Sequence, residues 1–325
     1  MTMKEDSCSI PSDRLDVFLR EFGHRVSAAS EAHPCVRCWK RSDLISVISA
    51  IIKENLAELK STFPPAIRLI EQLEAIGWLS PIAVIQNKGS PLASKFFLVD
   101  MEAGNSPLID PFELLMASYP NGVVSYFSAL GFHGLTTQTP AFYHIGLVKP
   151  SNKNTASGWE LEDARTGEKP VRDPLGTALY SFSDKVYYST KREESTVPGI
   201  QIRVMSPRSW IRITTKEQTL LDTLVQPMKC GGAAVVLEAW DTIGDSLDED
   251  RLLKYCQKIN KPDLSRRLGS MFELLGRNIE LLGLKEYLDS FHDQVRAMPD
   301  GFEAIPLLDG YTSSSNINSW RVALP

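Results

Sequence analysis

The first place to look for chemistry is "YFSALGFHGLTTQTP", Tyr126 to Pro140, where His133 follows a run of small and apolar residues and precedes a threonine-rich loop. A nucleophile–base pair there needs a serine or cysteine beside the histidine and an acid to orient it. Ser125 and Ser128 lie eight and five residues before His133. Side chains meet on a helix at spacings of three or four, so neither serine is its helical neighbour. No G-x-S-x-G elbow occurs in the chain. His133 therefore reads as a histidine whose ring is hydrogen-bonded inside the fold at a helix end.

Three other groups carry chemical residue types. "HPCVRC" sets His33, Cys35 and Cys38 at half a zinc-site spacing, and a structural site needs four ligands. Cys8 or His24 would have to complete it, and no second C-x-x-C is present, so reduced structural thiols are the expectation and no metal is assigned. "WELEDARTGEK" offers Glu160, Glu162, Asp163, Glu168 and Lys169 to a divalent metal, as a nuclease would. They stand in a polar stretch with no apolar strand to hold them, which reads as a solvated loop. Gly231-Gly232 is followed by no Lys-Ser/Thr and so is no phosphate loop; it reads as the end of one helix and the entry to the next. No cofactor is expected.

The elements that would position these residues follow from composition and pattern. The 325 residues, 43% hydrophobic, suit two or three domains rather than one core. The formal charge of -5, from 35 basic and 40 acidic residues, excludes a strongly cationic nucleic-acid binder but allows a local basic face. Five scattered cysteines suggest no disulfide framework, and no apolar run reaches the ~20 residues of a membrane span. The polar start "MTMKEDSCSIPSDR" is no signal peptide, so a cytoplasmic protein is expected.

Leu15, Phe18, Leu19 and Phe22 recur at helical spacing after Ser12 and Asp13. Ser42 or Asp43 opens a second helix, "LISVISAIIKENLAELK", and Pro65 and Gly77 bracket a third. "WLSPIAVIQ" and "SKFFLVD" then read as two strands around a polar loop. Three helices and a hairpin form the pattern of a winged helix-turn-helix, in which the last helix enters the major groove. That assigns DNA contact to Arg68 and Gln72 on the third helix, to Lys88 and Lys95 on the wing, and to Lys60. The third helix also carries Glu71 and Glu74, which are unfavourable beside phosphates.

After "GNSPLIDP" the pattern becomes two helices split at Pro120-Asn121-Gly122. Strands follow in "AFYHIGLVKP", "ALYSFSDKVYYST", "IQIRVMS" and "WIRITT". Helices come next, the first capped by Thr214 or Thr215 with Glu217 in its first turn, where the helix dipole favours an acid. Lys216, Arg266 and Arg267 are expected on an exposed basic face that meets an acidic partner or DNA, unless they are ordinary solvated surface. The expected class is α+β, with a small, mainly antiparallel sheet and a helical C-terminal lobe. The expected divisions are a helical extension over 1–41, the winged domain over 42–103 and a second domain over 104–325, its sheet at about 140–215 and its helical lobe at about 216–295.

Three stretches, "VVSYFSALGFHGLTTQTP", "ITTKEQTLLDTLVQPMKCGG" and "DLSRRLGSMFELLG", occur in an order that resembles the AbiEi-type antitoxin family of type IV abortive-infection systems. The first is the most specific, combining Ser125, Ser128, Ala129, Leu130, His133, Gly134 and Leu135. The resemblance implies a non-enzymatic antitoxin for a nucleotidyltransferase-like toxin, with a winged domain that binds double-stranded operator DNA and represses its own operon. It implies that the C-terminal domain neutralises the toxin. The chain departs from the family pattern in its first forty or so residues and in the acidic character of the reading helix. An adaptor subunit of a larger defence complex and a metal-dependent nuclease are the alternatives. No membrane partner is expected, and a homo-oligomer is left open.

Overall fold

The computed structural model describes residues 12–28, 34, 37–55, 64–87, 95–99, 108–150, 173–206, 209–299, 303–311 and 316–324. The chain divides into two compact units: Met1–Pro120 with Arg203–Ile211, and Asn121–Ile202 with Arg212–Pro325. The first break falls at Pro120, later than the division expected at residue 103. The architecture is mixed α+β.

In the first unit, α1 (Ser12–Ala28), β1 (Cys38–Lys40), α2 (Arg41–Asn55), α3 (Ala66–Ala75), β2 (Leu79–Ile82), β3 (Ile85–Gln86), β4 (Phe96–Val99) and α4 (Pro111–Ser118) follow in order. Helical spacing buries Phe18, Phe22 and Val26 of α1 against Leu44, Ile48 and Ile51 of α2 and Leu69, Ile70 and Leu73 of α3. The helix of the expected N-terminal extension therefore shares one core with the two that follow it. Gly77 ends α3 in the left-handed region at φ 83°. Trp78 N–H donates to Leu73 O at 2.9 Å and Gly77 N–H to Glu74 O at 3.1 Å, a Schellman closure that a Cβ would strain. The strand order is β1-β4-β2, antiparallel throughout, with Trp39 opposite Phe97 and Pro81 opposite the same residue on the other side. Asp110 caps α4, accepting from Phe112 N–H at 2.7 Å.

The second unit opens with β5 (Val123–Val124) and α5 (Phe127–Phe132), so a short strand stands where the sequence suggested the start of a second helix after the Pro120-Asn121-Gly122 turn. Then come β6 (Phe142–Lys149), β7 (Thr177–Phe182), β8 (Lys185–Glu193), β9 (Ile200–Ser206) and β10 (Ser209–Thr214). The order β7-β8-β6-β5-β10-β9 makes a mixed sheet, which corrects the mainly antiparallel expectation. β6 runs parallel to β8 from Phe142 opposite Val186 to Lys149 opposite Glu193, and β10 runs parallel to β5. The physical reason is connection length: the stretch between β6 and β7 lets the β7–β8 hairpin return with its second strand beside β6. Ser183 and Asp184 turn that hairpin at φ 47° and 59°, the left-handed pair that a tight two-residue turn requires.

Helices α6 (Lys216–Val225), α7 (Ala233–Thr242), α8 (Glu249–Ile259), α9 (Pro262–Leu274) and α10 (Leu282–Arg296) pack around Leu220, Trp240, Leu268 and Met271, followed by β11 (Ile305–Pro306) and β12 (Val322–Ala323). Thr215 is the cap of α6, its hydroxyl accepting from Gln218 N–H at 3.3 Å. Gly231 and Gly232, at φ 91° and 95°, turn the chain into α7 between Phe127 and Tyr311. Residues 316–324, near the end of the chain, are built into this unit. Trp320 packs on Gly269 of α9, where any side chain would collide with the indole. β12 pairs parallel with β11.

Candidate functional site

A cleft of about 210 Å³ opens in the second unit between β8, α6 and the start of α9. Its inner wall carries an Arg192–Asp222 pair with side chains only 7% and 5% exposed. The guanidinium donates in the bidentate manner, Nη1 to Asp222 Oδ2 at 2.7 Å and Nη2 to Oδ1 at 2.5 Å. Strand β8 supplies the arginine and α6 supplies the aspartate, so the pair locks sheet to helix. Gln218, one turn before Asp222, donates to its Oδ1 at 2.9 Å and to Thr196 O at 3.3 Å, and accepts from Gly199 N–H at 3.2 Å. The network thereby also fixes the turn after β8.

Tyr126 lies at the entrance to α5 with φ 58° and ψ -133°. A non-glycine residue held there costs about 1–3 kcal/mol, offset by the packing around it. Its ring receives two cations: Arg192 Cζ lies 4.9 Å from the ring centroid and Lys229 Nζ lies 5.5 Å away. Burial raises the Tyr126 phenol well above its ordinary value, against the pull of Arg192. Burial and the nearby Arg192 charge lower Lys229. Burial disfavours the charged Arg192, but Asp222 outweighs it and the guanidinium is held in its charged form. Cys230, fully buried, is pushed well above the usual thiol value by desolvation and then by Asp222. Neither phenol nor thiol is poised as a nucleophile at neutral pH. The site is suited to hold charge rather than to transfer groups.

A second buried ionisable group lies in the same unit. His144, at the middle of β6, stacks on Tyr188 at 5.3 Å, and its Nε2 lies 2.6 Å from Leu175 O. Its Nδ1 has no hydrogen-bond partner among the described residues. Burial lowers its pKa to about 4, so the ring is neutral at pH 7 and Nε2 carries the proton donated to Leu175.

The residues singled out from the sequence are dispersed. His133 caps α5, with Nε2 2.7 Å from Thr214 O, a tie between helix end and strand β10. Ser128 is buried, and its hydroxyl accepts from His144 N–H at 2.8 Å; Ser125 donates to Val123 O at 3.0 Å. Cys38 is buried in β1, with its Sγ 4.0 Å from Glu113 Oε2. His33, Cys35, Cys8 and Glu160 to Lys169 lie outside the described residues. So do Lys60 and Lys88. Arg68 is exposed on α3, Gln72 is half-buried one turn later, and Lys95 is exposed where its carbonyl accepts from Arg41 N–H at 2.8 Å. Lys216 is half-buried.

The exposed face expected of Arg266 and Arg267 is corrected, for they are 3% and 8% exposed. Arg266 donates to Trp320 O at 3.2 Å and to Arg321 O at 2.8 Å, and Arg267 donates to Leu224 O at 2.8 Å. Main-chain carbonyls from distant segments accept their N–H groups, and Asp263 and Asp309 lie 3.5 and 3.3 Å from Arg266 and Arg267 respectively, partners that composition alone does not disclose. The Arg192–Asp222 pair was likewise missed. Its members fall thirty residues apart on a strand and a helix, each among other polar residues, so local pattern held no signal of the pairing.

No helix among the described residues is long and apolar enough to cross a membrane. No protein-family model and no curated protein matches the chain. Among solved structures, the chain is similar to the crystal structure of the Rv2827c protein from Mycobacterium tuberculosis, at 13% identity and a TM-score of 0.51, over 97% of this chain and 92% of that one. At that identity the likeness speaks to the fold alone, which is a mixed α+β one in both chains.

Proposed function

We propose that the chain is a non-enzymatic antitoxin and DNA-binding autorepressor of an AbiE-like system. In this reading the first unit is a winged helix-turn-helix that binds double-stranded operator DNA. The observation that carries it is the element order α1-β1-α2-α3-β2-β4 with the sheet order β1-β4-β2. That is the arrangement in which a third helix lies on an apolar base and turns its other side outward. Here α3 buries Leu69, Ile70 and Leu73 and leaves Arg68 exposed. Arg68 and Gln72 would face the major groove, with Lys95 on the backbone beside it, joined by Lys60 and Lys88. Neutralisation of a nucleotidyltransferase-like toxin falls to the second unit, supported by the resemblance of its three sequence stretches to AbiEi-type antitoxins. Lys216 is kept as a candidate partner contact there.

A mobility shift on DNA from upstream of the gene, against a scrambled duplex at two salt concentrations, tests the DNA-binding half. Specific binding that weakens with salt is the expected result. Arg68→Ala should weaken it by about 1–3 kcal/mol if the guanidinium reads a base edge, while stability stays within about 0.5 kcal/mol. Unchanged affinity in that variant would remove α3 as the reader. Glu71 and Glu74, both exposed on α3, favour a second reading, a protein-binding adaptor. Absence of specific DNA binding together with capture of a defined partner through this unit would select it.

A further inference from the structure

We propose that the cleft between β8, α6 and the start of α9 is a binding site for a phosphate-type oxyanion, either free phosphate or the phosphate of a small monoester. This goes beyond the antitoxin reading and does not depend on it. Four cations line the cleft, Lys191, Arg192, Lys229 and Lys261, against two carboxylates, Glu193 and Asp222, a surplus of two positive charges in a chain whose net charge is -5. One of the carboxylates is already committed, because both oxygens of Asp222 accept from Arg192.

Geometry narrows the role of each group. A guanidinium has five N–H donors, and Asp222 occupies two of them, so Arg192 retains donors while Asp222 fixes its plane. Lys229 is half-buried and forms no ion pair among the described residues. It stands over the Tyr126 ring that Arg192 also approaches. Arg192 and Lys229, two cations that approach one ring, repel each other, and the Asp222 carboxylate is paired with Arg192. A divalent oxyanion seated there relieves that repulsion and takes charge-assisted hydrogen bonds from both. Burial first, and the Arg192 charge second, lower the affinity of Lys229 for its proton. Leu221, Val225 and Ile259 line the remainder and offer an apolar wall to the body of a monoester. The locked Arg192–Asp222–Gln218 network means that the site is formed before the ligand arrives.

Calorimetric titration of the full chain with inorganic phosphate, adenosine monophosphate and uncharged adenosine tests this, with chloride matching the ionic strength. Phosphate or the monophosphate should bind and adenosine should not. Equal affinity for the two anions assigns the site to free phosphate, and tighter monophosphate binding assigns it to the monoester. Lys229→Gln should weaken binding about tenfold or more, and Lys261→Gln by less, while Lys254→Gln, on the exposed side of α8, should leave it unchanged. Circular dichroism and the melting temperature of each variant check that it is folded. No heat and no thermal stabilisation by either anion in the wild type would overturn the proposal. Binding that Lys229→Gln leaves intact in a folded protein would overturn it too, because the anion would then sit elsewhere.

Discussion

The two units are held together by different physics. The first is closed chiefly by an apolar core, in which Phe18, Phe22, Leu44, Ile48, Ile51, Leu69 and Leu73 meet, while Glu113 is buried beside β1 with Arg37 Nη1 3.8 Å from its Oε1. The second has an apolar core too, but it also buries His144, Glu217, Gln218, Asp222, Arg266 and Arg267. Apolar burial is non-directional and tolerates small changes of shape, whereas a buried charge is stable only with its partner in place. The first unit is therefore built to be stable while its outer surface varies. The second has its interior specified to a greater degree by pairings.

The largest expected effect tests that contrast at its centre. Asp222→Ala leaves Arg192 buried and unpaired and should destabilise the protein by about 3–5 kcal/mol in urea unfolding. Joint replacement, Arg192→Met with Asp222→Leu, should recover most of that loss, since no charge is then stranded. A loss under about 1 kcal/mol in the single variant would mean that water reaches the guanidinium and that the interior is not specified by this pair.

The next effect is on acid stability. His144 has its pKa lowered from 6.5 to about 4 by burial, opposed by its bond to Leu175. The unfolded chain takes up the proton first, so this contribution is fully present above about pH 6.5 and is lost as pH falls toward 4. The loss should approach about 3 kcal/mol at the acid end, and His144→Phe should flatten that part of the stability–pH curve. A wild-type curve that is level between those values would place the ring in contact with water. The first unit supplies the smallest effect. Ile51→Val should cost about 0.5–1.5 kcal/mol with no dependence on pH, measured by the same unfolding experiment. A cost several times larger would show that this core is as tightly specified as the other.

Much of the local architecture was legible in the residues. The apolar repeats at Phe18 and Phe22, the Gly77 stop, the Thr215 cap with Glu217 in the first turn, and the Gly231-Gly232 turn depend on neighbours within a few positions. His133 was legible as a helix-end histidine hydrogen-bonded inside the fold, but its partner, Thr214 O, lies 81 residues away and was not. What the residues concealed were relations between distant segments: the parallel pairing of β6 with β8, the covering of α9 by Trp320, and the Arg192–Asp222 bond. A strand's register and an arginine's partner are chosen only when the chain has returned on itself, and nothing in local spacing encodes that return. Arg266 and Arg267 show the reason most directly. Two adjacent arginines on a helix count as solvent-facing by composition, and it is the carbonyls of Leu224, Trp320 and Arg321 together with the carboxylates of Asp263 and Asp309 that make their burial tolerable. The sequence by itself determined where helices begin and end, because capping and periodicity are local. The tertiary structure alone decided which charges lie inside, because the cost of desolvation is met by partners far along the chain.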